Sequence, residues 1–304
     1  MEFISKYNYD ENELVIDLPP FYIIEPTNYC NYKCIMCPNR LYKSENLGFM
    51  SFKIFKKIID EISKSAIFIQ LYWMGEPLLS KNIFHMIQYI KKNSSAKTIL
   101  STNGSLLTPQ VTELLCKSEL DKIIISLDAI ESQNVYSKIR CGGNLKQVIS
   151  NTEFFLQYNR SVDVILQMLC FKANRDEKEK LLERFNQYNY ETRFSWLDTW
   201  AGSFPEIAEM ADEISPLFSV ERKACADLWY KATIHWDGSL APCCHDWNWQ
   251  INLGNISEKP LIELWNSKKM QELRLLHARK CFNQIPLCQK CTEWAVFEEY
   301  KEFM

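Results

Sequence analysis

Three cysteines lie within eight residues in the segment Thr27-Asn28-Tyr29-Cys30-Asn31-Tyr32-Lys33-Cys34-Ile35-Met36-Cys37-Pro38. Thiolates spaced as Cys30, Cys34 and Cys37 can hold three irons of a cubane cluster on one loop. A ferredoxin run needs a fourth cysteine nearby, and none follows before Cys116. A structural zinc site needs four protein ligands, yet the nearest histidine, His85, lies far along on a helix-period stretch. Spacing therefore favours iron–sulfur over zinc, and a cluster with one iron left unligated can take a small molecule. A second set comprises Cys225, Cys243, Cys244, Cys281, Cys288 and Cys291. Cys288-x2-Cys291 is a two-ligand knuckle, and a tight turn at Asp237-Gly238 brings Cys243 beside the strand that follows Cys225. Four such thiolates could hold zinc or a second 4Fe–4S cluster, and spacing does not separate the two.

Positioning these groups requires regular elements. Short apolar runs at Phe21–Glu25, Ile67–Trp73, Thr98–Ser101, Lys122–Leu127, Val162–Leu169 and Thr192–Leu197 suit strands buried on both faces. Helix-period stretches separate them. Phe52, Phe55, Ile58, Ile59 and Ile62 recur behind a Ser51 cap, Thr108-Pro109 starts another helix, and Asp176–Arg184 reads as a solvated helix face. Six such alternations predict a parallel sheet with right-handed crossovers, as an open barrel or an open sheet, with ligands at the carboxyl ends of the strands. Those ends carry Cys30–Cys37, Gly75-Glu76-Pro77, Asn103, Asp128, Asn174, and Asp198 with Trp200. Farther on, Trp229–Trp236 and Ser239–Ala241 predict a hairpin, and Leu261–His277 a helix. The expected organisation is an extension over 1–20, an α/β unit over 21–205 and a smaller α+β unit over 206–304, with the boundary near 205–220.

Composition narrows the function. The chain has 304 residues, 47% hydrophobic and 24% charged, with a net charge of −3, which argues against nucleic acid or an anionic membrane as partner. No apolar run is long enough for a membrane span, and Met1–Lys6 lacks the layout of a signal peptide, so a cytoplasmic protein is expected. Twelve cysteines in a reducing compartment favour metal ligation over cross-linking.

Cys-x3-Cys-x2-Cys after the first strand, followed by Gly75-Glu76-Pro77, resembles the radical S-adenosylmethionine (SAM) superfamily over roughly residues 20–200. Met74 stands where that family usually has a further glycine. The resemblance implies a partial (β/α)6 barrel in which a 4Fe–4S cluster on Cys30, Cys34 and Cys37 binds SAM and cleaves it to a 5′-deoxyadenosyl radical. It nominates Met36, Gly75, Glu76, Pro77, Asn103, Ser126, Asp128, Arg140 and Gln167 for the cofactor site, with Arg140 near the SAM carboxylate and Asn174 at the next strand's exit. Cys225, then Gly238 to Cys244, Leu253-Gly254-Asn255, Trp265 and Cys288-x2-Cys291 resemble a SPASM or twitch auxiliary-cluster domain. No cysteine follows Cys291, so the single-cluster twitch form is expected, with Cys225, Cys243, Cys288 and Cys291 as ligands. The implied reaction is oxidation of a secondary alcohol on a sugar, cyclitol or related metabolite. The auxiliary cluster would take the electron, and a flavodoxin or ferredoxin would supply reductant. The alternatives are a peptide-maturing epimerase or cross-linking enzyme, with Cys170 or Cys244 as hydrogen donor, and a non-catalytic electron carrier or zinc-stabilised binding protein. The short stretch before the first strand leaves no room for a peptide-recognition module, so a small-molecule substrate is favoured. His235, His245 and the tryptophans near them are read as packing.

Overall fold

The computed structural model describes residues 14–212, 222–292 and 294. Residues 1–13 of the expected extension, Met1–Lys6 included, and part of the expected boundary near 205–220 lie outside the described residues. Eight strands form one sheet: β1 (Phe21–Ile24), β2 (Phe68–Gln70), β3 (Lys97–Thr102), β4 (Lys122–Ser126), β5 (Asp163–Leu169), β6 (Glu191–Ser195), β7 (Lys231–Ile234) and β8 (Leu240–Ala241). Their order is β6-β5-β4-β3-β2-β1-β7-β8, parallel throughout except for the β7–β8 hairpin.

Helices fill the crossovers. They are α1 (Phe52–Ile62), α2 (Ile83–Asn93), α3 (Pro109–Lys117), the pair α4 (Gln133–Ile139) and α5 (Leu145–Tyr158), and α6 (Glu177–Phe185). Their starts are capped as the sequence predicts: Ser51 Oγ accepts from Ile54 N–H, and Thr108 Oγ1 from Val111 N–H. The apolar stripes of these helices and the outward face of the sheet make the main core. On the other face Ile99, Ile124 and Ile165 pack with Phe68 and Tyr72, which fills the interior of the partial barrel. Strand alternation continues that interior face to Ser126 and Gln167 at its carboxyl end. No helix among the described residues is long and apolar enough to cross a membrane.

After β6 come α7 (Glu206–Met210) and α8 (Asp227–Tyr230), then the hairpin, α9 (Leu261–Trp265) and α10 (Lys268–Ala278). The expected hairpin forms and joins the main sheet, because β7 pairs parallel with β1, Phe21 opposite Lys231 through Ile24 opposite Ile234. Two details differ from the sequence reading. Trp229 and Tyr230 belong to a helical turn, both amides bonding to Ala226 O at 3.0 Å; a continuous buried apolar run does not distinguish the two states. The helix expected over Leu261–His277 is broken at Asn266-Ser267, since Ser267 Oγ caps α10 through Met270 N–H and Asn266 Oδ1 accepts from Ile16 N–H. Trp265 is fully buried there, its indole N–H bonded to Asp17 O.

Candidate functional site

Strand β1 feeds the chain into the first cysteine loop, and Asn28 pins the start of that loop. The side chain of this fully buried residue donates to Asn46 O at 2.7 Å and accepts from Gly48 N–H at 2.8 Å, while its own carbonyl accepts from Asn39 Nδ2 at 2.6 Å. The loop then runs beside the end of α4: Lys33 N–H donates to Cys141 O at 2.9 Å and Ile35 N–H to Ile139 O at 3.0 Å. Arg140 is thereby set near Cys34, where burial raises the thiol's pKa and the guanidinium charge works against that rise. Arg140 Nε also donates to Asp128 Oδ2 at 2.5 Å. Burial opposes its charge, but the Asp128 carboxylate more than compensates and holds the guanidinium charged. Asp128, itself fully buried, accepts from Leu169 N–H at 2.9 Å, and its carbonyl accepts from Asn174 Nδ2 at 2.9 Å. One ion pair thus ties the cysteine loop to the exits of β4 and β5.

Gly75-Glu76-Pro77 clamps the loop from the other side. A Cβ on Gly75 would lie 2.1 Å from Thr27 O and 2.7 Å from Tyr29 O, so only glycine lets these backbones approach. Glu76 N–H donates to Tyr29 O at 2.8 Å, and Met74 N–H to Glu25 Oε1 at 3.3 Å. The Glu76 carboxylate is buried and accepts from Leu78 N–H, Thr102 Oγ1 and Asn103 N–H. Burial nevertheless pushes its pKa up to about 7. Asn103 turns its amide to the loop as well, donating to Asn31 Oδ1 at 2.9 Å and accepting from Ser105 Oγ at 2.6 Å. Ser126 and Gln167 are register partners, half-buried at the carboxyl end of the barrel interior. Met36 is nearly buried, and its carbonyl accepts from Trp200 Nε1 at 2.8 Å.

These residues fit an iron–sulfur cluster. Burial, together with mutual repulsion among the three sulfurs, raises Cys30 to about 11 and Cys37 to about 12. Converging, desolvated thiols of this kind lose their protons to a bound metal, whose positive charge relieves the repulsion.

The second set converges too. Cys225, Cys243, Cys288 and Cys291 line one cavity with His245 and His277. Burial raises Cys288 to about 12 and Cys225 well above its usual value, and their neighbouring cysteines add to both shifts. Cys244 turns elsewhere, with Asp227 Oδ2 at 3.9 Å and His245 Nδ1 at 3.6 Å. Cys281 bonds weakly to Arg279 O, Cys116 to Asn159 and Cys141 to Lys138 O. Cys170 is 2% exposed, one residue past Leu169, so the alternation of β5 sends it away from the barrel interior.

Three features escaped the sequence reading. His245 is not simply packed: its Nε2 donates to Asp198 Oδ2 at 2.8 Å, its Nδ1 lies 3.6 Å from Cys244 Sγ, and the ring lines the same cavity as Cys243. Asp198 also accepts from Trp200 N–H at 2.6 Å, so the exit of β6 joins the second cysteine set to Met36 in the first. His277 contacts both Cys225 and Cys288. Only the adjacency of Cys243, Cys244 and His245 hinted at any of these contacts; the others join residues distant in sequence.

Comparison with known proteins agrees with this geometry. Residues 24–185 match the model of the radical SAM superfamily, and residues 225–292 that of the SPASM iron–sulfur cluster-binding domain. A "tungsten-containing aldehyde ferredoxin oxidoreductase cofactor-modifying protein" of Pyrococcus furiosus is 24% identical over 88% of this chain and 86% of its own. An S-adenosyl-L-methionine-dependent 2-deoxy-scyllo-inosamine dehydrogenase of Niallia circulans is 23% identical over 91% of this chain and 94% of its own. The crystal structure of BtrN in complex with AdoMet and 2-DOIA superposes with a TM-score of 0.64 at 20% identity, over 90% of this chain and 93% of that one, and shares the fold. The chain belongs to the radical SAM superfamily: it is an enzyme using S-adenosylmethionine and iron–sulfur clusters, with a SPASM domain at its C-terminal end.

Proposed function

We propose that this enzyme oxidises a secondary alcohol of a sugar, cyclitol or related small molecule to a ketone. Cys30, Cys34 and Cys37 hold the SAM-binding 4Fe–4S cluster in this reading, and Cys225, Cys243, Cys288 and Cys291 hold one auxiliary 4Fe–4S cluster. With SAM bound, these groups supply removal of a hydrogen atom from the carbinol carbon and acceptance of one electron, and the lost proton completes the oxidation. Arg140, kept charged by Asp128, binds the SAM carboxylate; its position beside Cys34 supports this. The backbone at Gly75 receives the ammonium end, Ser126 and Gln167 face the SAM site from the barrel interior, and the Met36 carbonyl lines it. Glu76 and Asn103 act by holding the cysteine loop in place. Pro77 opens the short 3-10 turn that presents Glu76. A flavodoxin or ferredoxin is the proposed reductant.

The observation that carries the reading is the convergence of the four C-terminal cysteines on one cavity, joined through His245 and Asp198 to the barrel edge. All four irons of an auxiliary cluster there would have protein ligands, leaving none for substrate chelation and making electron acceptance its natural role. The full-length relation to a cyclitol dehydrogenase supports the same substrate class.

Turnover in deuterium oxide tests this reading. Oxidation yields a ketone with no solvent deuterium installed at the reacting carbon, once enolisation of neighbouring positions is controlled. A product at the original oxidation level with one deuterium at an inverted centre would establish epimerisation instead. A thiol donor would then be required, and loss of the label on Cys170→Ala or Cys244→Ala would identify it.

A further inference from the structure

His277 sits on α10, 1% exposed, between two of the four cysteines that line the C-terminal cavity. Its Nδ1 lies 3.1 Å from the backbone N–H of Cys225 and accepts that hydrogen. An accepting nitrogen carries no proton, so in the neutral ring the hydrogen resides on Nε2. Nε2 lies 3.4 Å from Cys288 Sγ, within reach of an N–H···S bond. The ring cannot easily turn away: it packs edge-on against Phe282 at 5.1 Å, and the same phenyl carries the Arg222 guanidinium at 4.5 Å.

We propose that His277 is a positioning residue of the auxiliary cluster, fixing the backbone at Cys225 and donating a hydrogen bond to the Cys288 sulfur that raises the cluster's reduction potential. The proposal rests on Cys225, Cys243, Cys288 and Cys291 being ligands of that cluster. An N–H pointed at a ligating sulfur stabilises negative charge there, and a reduced cluster carries one more negative charge than an oxidised one. The reduced form therefore gains more, and the cluster becomes easier to reduce. That direction suits a cluster that takes an electron from substrate. Arg222, whose charge also reaches Cys288, acts in the same sense.

The test uses the full-length chain with Cys30, Cys34 and Cys37 changed to Ala, so that one cluster gives the whole signal. After anaerobic iron–sulfur reconstitution, iron is counted and the midpoint is read by redox titration monitored with electron paramagnetic resonance. His277→Phe keeps a buried ring but has no donor, and should bind the same iron with a more negative midpoint. His277→Gln keeps an N–H and should recover most of that shift. Uptake of iron by the Gln variant at the parent midpoint, with none by the Phe variant, would equally support the donor. An unchanged midpoint in the Phe variant at equal iron, equal shifts in both variants, or loss of iron from both would overturn the proposal. A parent chain that loads zinc in place of iron would end the auxiliary-cluster reading itself, whereas iron with an unmoved midpoint ends only the role given to His277.

Discussion

Glu76 is 2% exposed, accepts three hydrogen bonds, and still has its pKa raised by burial to about 7 from 4.5. The folded chain therefore keeps a proton that the unfolded chain releases between those values. The contribution of this group to stability falls as pH rises from about 4.5 to about 7 and stays low above that range. Glu76→Gln cannot titrate and also turns an N–H toward backbone donors. The stability advantage of the parent over this variant, measured by thermal unfolding of the metal-free chain, should be larger at pH 5 than at pH 8. Equal differences at the two pH values would show that Glu76 does not titrate in that window. At the neighbouring position, Gly75→Ala would drive a methyl into Thr27 O, and overpacking of this kind costs about 1–3 kcal/mol. Because the clash moves the cysteine loop, the variant should lose iron from the first site and SAM cleavage with it, while the C-terminal cysteines still load. Full iron with normal SAM cleavage would contradict the close approach at this glycine.

Among the elements, β7 has the widest consequence. Pairing with β1, it anchors the C-terminal unit to the strand that leads into the first cysteine loop. Trp73, just past β2, donates its indole N–H to Cys244 O at 2.8 Å, and Asp198 past β6 holds His245. The second cysteine set therefore leans on three barrel strands yet supplies none of the groups around Arg140. Replacing Cys288 and Cys291 with Ala should consequently spare reductive cleavage of SAM while removing product formation. Metal binding and folding are coupled in such small units, so the comparison is made on soluble variant with its first cluster intact. Equal loss of cleavage and product under that condition would count against an electron-accepting role.

For the whole molecule, seven cysteines divided between two sites predict about eight irons per chain, from two four-iron clusters. Changing Cys30, Cys34 and Cys37 together to Ala should halve the iron and abolish SAM cleavage. Four irons with stoichiometric zinc after careful anaerobic reconstitution would show that the C-terminal cavity is a structural zinc site instead. Both sets of thiols have pKa values raised by burial, so metal uptake should release protons and weaken as pH falls.

The amino-acid sequence by itself determined the six strand–helix alternations, because buried parallel strands demand continuous apolar runs and amphipathic helices a 3.6-residue period. It also determined the first cysteine loop, where three ligand-type side chains are close in sequence and need no folding to be seen together. Gly75-Glu76-Pro77 was legible as a motif, but its work was not: that a Cβ would strike Thr27 O, and that Glu76 takes Asn103 N–H, depends on two strand exits lying side by side. The placing of β7 on β1 was likewise invisible, since a buried hairpin strand reads the same in its own sheet or at the edge of another. Tertiary structure alone brought Cys225 to His277 and Cys288, and Asp198 to His245, across separations of 52, 11 and 47 residues. Periodicity and spacing report on neighbours along the chain. Hydrogen bonds between distant elements, which set the surroundings of both cysteine clusters, exist only once the sheet has chosen its strand order.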